Sequence, residues 1–86
     1  MKENWKVRGY QYLRIAIIAP EEEKRELIKF VLDLVGRLDA VNINIAFDTY
    51  QDKKNNNKLF KGTVKCYSIE VYELFLRILR EEFPNN

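Results

Sequence analysis

The 86-residue chain has no histidine, one cysteine, three glycines and two prolines, and each scarcity closes off a class of chemistry. Histidine is the most frequent general base near neutral pH, so a nucleophile–base pair has no obvious base. Without histidine and with Cys66 alone, a tetrahedral zinc site lacks its donors. A single cysteine forms no internal disulfide, which fits a reducing, cytoplasmic setting. Gly9, Gly36 and Gly62 are isolated from one another, so no glycine-rich phosphate loop exists. No apolar run approaches the ~18 residues of a membrane span, and Met1-Lys2-Glu3-Asn4-Trp5 carries no apolar signal region. Asp48 and Asp52 flank a turn, but two carboxylates there are ordinarily only solvated. The expectation is a protein that is not an enzyme, with no catalytic residues, no metal and no cofactor.

What is present is a core. Apolar residues make up 47% of the sequence, enough for one domain over residues 1–86, with a basic N-terminal arm at 1–8 and a tail at 84–86. Gly9 to Ala19 reads as a strand, with Leu13, Ile15 and Ile17 alternating against Tyr12, Arg14 and Ala16. Pro20 and Glu21, Glu22 and Glu23 suit the start of a helix, which carries Leu27, Val31, Leu34, Val35 and Leu38 on one face and ends near Asp39. Val41 to Tyr50 is a second alternating strand, residues 51–57 a polar hairpin tip, and Lys58 to Tyr67 a third strand. Ser68 suits an N-cap for a last helix that runs to about Phe83 and stops at Pro84.

These elements predict an α+β fold with β-α-β-β-α order: a three-stranded antiparallel sheet, order 1-3-2, with two helices on one face. It is ferredoxin-like but lacks the fourth strand. The outer edge of the first strand then needs cover, from a partner strand or from the Trp5–Arg8 segment. The other sheet face is left bare.

That bare face is the first functional candidate. Alternation places Tyr12, Arg14, Asn42, Asn44, Asp48, Tyr50, Lys61, Thr63, Lys65 and Tyr67 on it, with Tyr10. Tyrosines stack on bases and cations meet phosphates. Net charge is only +2, but it is unevenly distributed. The two helices hold six basic and ten acidic residues, whereas the N-terminus, strands and loop hold nine basic and three acidic, Lys53, Lys54 and Lys58 among them. Such a polarised field attracts polyanions. The candidate nucleic-acid-binding residues are therefore Tyr12, Arg14, Lys53, Lys54, Lys58, Lys61, Lys65 and Tyr67. The last helix is a second candidate. Beside the stripe Val71, Leu74, Phe75 and Ile78, it carries Ile69, Tyr72, Leu76, Leu79 and Phe83, more apolar surface than a three-stranded sheet needs, which suggests a partner protein or a second copy.

Two family resemblances bear on this. Lys6-Val7-Arg8-Gly9-Tyr10, Leu34-Val35-Gly36-Arg37-Leu38 and the strand Gly62-Thr63-Val64-Lys65-Cys66 leading into a helix together resemble the small ribonuclease P protein subunits of archaea and eukaryotes, the Pop/Rpp type. That resemblance covers most of residues 6–80. It implies a non-catalytic scaffold in tRNA processing that binds structured RNA and a further protein subunit, with the chemistry left to the RNA. The run Cys66-Tyr67-Ser68-Ile69-Glu70-Val71-Tyr72-Glu73-Leu74-Phe75-Leu76 resembles the strand-to-last-helix junction of LAGLIDADG homing endonuclease half-domains. The signature helix with its catalytic acid has no counterpart in this sequence, so that second resemblance implies DNA contact without nuclease activity. A third reading is a homo-oligomer formed through the last helix or the first-strand edge.

Overall fold

A computed structural model describes residues 2–38 and 42–84. The expected helix end at Asp39, the expected strand start at Val41 and the last two residues of the tail lie outside the described residues.

Four strands form one antiparallel sheet: β1 (Lys6–Tyr10), β2 (Arg14–Pro20), β3 (Ile43–Gln51) and β4 (Lys58–Cys66), in the order β1-β2-β4-β3. Two helices, α1 (Lys24–Leu38) and α2 (Ile69–Glu82), complete a β-β-α-β-β-α chain. The three-stranded, β-α-β-β-α expectation is thereby corrected: the N-terminal segment supplies a fourth strand on the outer edge of β2. The single strand expected over Gly9–Ala19 is in fact the end of β1, a three-residue turn and β2. Tyr12 and Leu13 take the left-handed conformation there, with φ of 62° and 58°. None of the usual turn residues occurs at 11–13, and the Leu13, Ile15, Ile17 alternation runs straight through the turn, which hides it.

Both helices lie against one side of the sheet. Gly62 in β4 faces α1, where an added Cβ would stand 3.5 Å from Val31 Cγ2; Gly9 in β1 faces α2, where it would meet Tyr72 and Leu76. Cross-strand pairing puts Gly9, Ile15, Val64 and Ile45 in one row, so these residues share the helix side. Leu27, Val31 and Leu34 of α1 and Phe75 and Leu79 of α2 are buried over that side. Ser68 caps α2: its Oγ accepts the Val71 N–H at 3.2 Å. Pro20 leads into a 3-10 turn over Glu21–Glu23 before α1 begins.

The expected basic arm is part of this core. Trp5 is 1% exposed, donates its Nε1–H to Glu23 Oε1 at 3.0 Å, stacks on Phe83 and meets Phe30 edge-on. This aromatic trio ties the start of β1 to both helices.

Candidate nucleic-acid interface

Among the described residues, the other side of the sheet carries no helix. Because directly paired residues share a face, the register lays out its side chains in rows. Tyr10, Arg14, Lys65 and Asn44 form one; Arg8, Ala16, Thr63 and Ala46 the next; Lys6, Ile18, Lys61 and Asp48 the third. Pro20, Leu59 and Tyr50 follow towards the β3–β4 tip. Five cations, Lys6, Arg8, Arg14, Lys61 and Lys65, thus share a surface with one carboxylate, Asp48. Among the described residues none of these five forms an ion pair within the chain, whereas Lys2 does, with Glu82 at 3.2 Å.

Aromatic rings sit beside these cations. Lys61 Nζ lies 5.4 Å from the Tyr50 ring centre, Lys65 Nζ 5.3 Å from Tyr67, and the Arg14 guanidinium 5.9 Å from Tyr12. Asn44 Nδ2 donates to the Tyr67 hydroxyl at 2.6 Å, and Arg14 Nε donates to the Gln11 carbonyl at 3.2 Å, so both positions are held from within. Tyr12 is 74% exposed at the β1–β2 turn and Tyr67 53% exposed just past β4. Each presents a π-face to solvent next to a positive charge.

The six-residue β3–β4 tip is ordered by its own hydrogen bonds. Asp52 N–H donates to the Asn57 carbonyl and Asn56 N–H to the Asp52 carbonyl, both at 2.8 Å, while Asp52 Oδ1 accepts from Lys54 N–H at 3.0 Å. Together with β1 the tip bounds a groove of about 500 Å³ on the open side. Lys6, Arg8 and Tyr10 form one wall, Tyr50, Asp52 and Lys54 the other. Burial pushes the Tyr50 phenol above its ordinary range; Tyr10 and Asp52 push the same way and Arg8 opposes them.

Of the residues singled out in the sequence, Arg14, Lys61 and Lys65 fall on this face, Tyr12 and Tyr67 stand beside Arg14 and Lys65 just beyond the strands, and Lys54 lies on the rim of the groove. Lys53 is exposed in the tip. Lys58 shares parity with Phe60 and so belongs to the opposite side of the β4 arm. The helix residues expected to dock a partner are mostly occupied within the chain: Leu79 and Phe83 are 1% and 5% exposed, and Tyr72 and Leu76 cover Gly9 of β1. Ile69 alone of that set is open, at 57%. Lys6 and Arg8 were not foreseen on the face; the alternation Lys6-Val7-Arg8-Gly9-Tyr10 is the signal that would have found them. Cys66 is buried, which pushes its thiol up and away from the thiolate form.

No family model, no curated protein and no solved structure matches the chain. Among the described residues no helix is long and apolar enough to cross a membrane, and no three cysteine, aspartate or glutamate side chains gather as a metal site.

Proposed function

We propose that this chain is a non-catalytic RNA-binding subunit of a ribonucleoprotein, and that the open sheet face is its contact surface. One observation carries the reading: among the described residues, five strand cations and the tyrosines beside them share a helix-free face on which the strands place one carboxylate, Asp48, with Asp52 at the tip. Cations on a sheet meet phosphates without regard to sequence, and exposed tyrosines accept unstacked bases, which RNA offers in its loops, bulges and ends. The resemblance to small ribonuclease P subunits supports the same assignment, with the RNA as the reacting component. The docking reading through the last helix has less in its favour, because Tyr72 and Leu76 lie against Gly9 of β1 and Leu79 and Phe83 are buried.

The test is fluorescence anisotropy with a labelled stem-loop RNA and a duplex DNA of equal length. Charge reversal of Lys61 and Lys65 together is expected to weaken RNA binding by about tenfold or more at ~0.1 M salt. Circular dichroism checks that the fold survives. Unchanged RNA affinity in the folded variant, or tighter binding to duplex DNA than to RNA, overturns the proposal.

A further inference from the structure

β1 and β3 are the two outer strands of the sheet. Laid flat they would stand three strand spacings apart, roughly 14 Å. Yet residues of β1 and of the β3–β4 tip wall a single groove. The twist and coil of the sheet therefore make the open side concave at this end.

The groove is chemically specific. Between the walls Ile18, Pro20 and Leu59 supply apolar lining, while Asn4, Asn55 and Asn57 add polar groups. Tyr10 and Tyr50 stand on opposite walls, 45% and 37% exposed. Three cations, Lys6, Arg8 and Lys54, lie at the rim against one carboxylate, and Asp52 already uses Oδ1 within its own turn. The occupant must be anionic at its edges and flat and aromatic at its centre. A volume of about 500 Å³ lies within the range of small-ligand sites, and a paired helix would meet only the rim. A larger depression, about 810 Å³ along the outside of α2, alternates Glu70, Glu73 and Glu81 with Arg77 and Arg80 and has no such polarity.

We propose that this groove holds one unpaired nucleotide of the bound RNA, its base over Ile18 and Leu59 between the rings of Tyr10 and Tyr50, and its flanking phosphates at Arg8 and Lys54. The inference rests on the RNA-binding reading and adds to it a preference for RNA with an extruded base.

Two blunt-ended RNA duplexes test it, identical except that one carries a single unpaired uridine within the stem. The unaltered protein is expected to bind the bulged RNA about tenfold more tightly. Tyr50→Ala is expected to bring that ratio close to one, because the bulged RNA loses more affinity than the fully paired one. Lys65→Glu, outside the groove, is expected to weaken both RNAs and leave the ratio intact. With 5-iodouridine at the bulge, ultraviolet cross-linking of the unaltered protein is expected to label Tyr10 or Tyr50. A ratio near one in the unaltered protein, a ratio unmoved by Tyr50→Ala, or cross-links confined to Tyr12 and Tyr67 overturns the groove assignment and leaves the face intact as an RNA surface. Failure to bind either RNA overturns both.

Discussion

Gly9 and Gly62 both lie on the helix side of the sheet, and they differ in what a side chain there would strike. A Cβ on Gly62 would lie 3.1 Å from Phe47 Cε1, in a ring already stacked on Phe60 with its centre 5.8 Å away. A Cβ on Gly9 would lie 2.6 Å from the Tyr72 hydroxyl oxygen, while the next atom stands at 3.7 Å. The obstacle at Gly9 is thus a single oxygen. Gly9→Ala is expected to destabilise the protein by about 1–3 kcal/mol from overpacking, less the ~0.4–1 kcal/mol that alanine gains by restricting the unfolded chain. Tyr72→Phe removes that oxygen, so the double variant is expected to recover most of the loss. Urea unfolding of the two single variants and the double variant measures the coupling. A double variant no more stable than Gly9→Ala alone would show that Tyr72 is not what keeps position 9 small.

The β1–β2 hairpin is the element on which both the fold and the candidate site turn. Its two left-handed residues, Tyr12 and Leu13, each carry a cost of about 1–2 kcal/mol that glycine or asparagine would lessen. The Leu13 carbonyl accepts the Cys66 N–H at 2.9 Å and Leu13 packs against the core, which accounts for one of the two. Tyr12 makes little comparable contact; its ring stands exposed near Arg14. On the RNA-binding proposal, this strain is kept for the ring it displays. Tyr12→Asn is therefore expected to raise the stability of the hairpin by about 0.5–1 kcal/mol and to lower RNA affinity, measured by urea unfolding and anisotropy on the same preparation. A variant less stable than the parent would remove the strain argument. The same element explains what was legible in the sequence. Period-two parity survives errors in strand ends, so Arg14, Lys61 and Lys65 could be assigned to one face before any sheet was assembled. The turn was not legible, because Gln11-Tyr12-Leu13 lacks every residue that normally marks one. Missing the turn left the Trp5–Arg8 segment as only one of two possible covers for the first-strand edge, so the register that places Lys6 and Arg8 on the face, and the groove with it, could not be read. It also left the α2 stripe at Tyr72 and Leu76 looking free when β1 lies beneath it.

At the scale of the whole molecule, a net charge of +2 understates the field. The five face cations lie on one side of the sheet and most of the carboxylates on the helices of the other, so a polyanion is drawn to one side and repelled from the opposite one. Salt dependence counts the charges that act together. Each phosphate neutralised on a single strand contributes about −0.7 to the slope of log K against log salt. If four or five of the face cations engage at once, the slope for a single-stranded or bulged RNA is expected near −3, whereas incidental contact by one or two lysines gives roughly −1. The chain contains no histidine, the side chain that ordinarily changes charge between pH 5 and 8. The slope measured at about pH 5.5 is therefore expected to match that at about pH 7. Anisotropy titrations over a salt series at both pH values read both quantities. A slope near −1 would mean that the cations share a face without meeting phosphates as a set, and the polarity of the fold would then serve solubility alone.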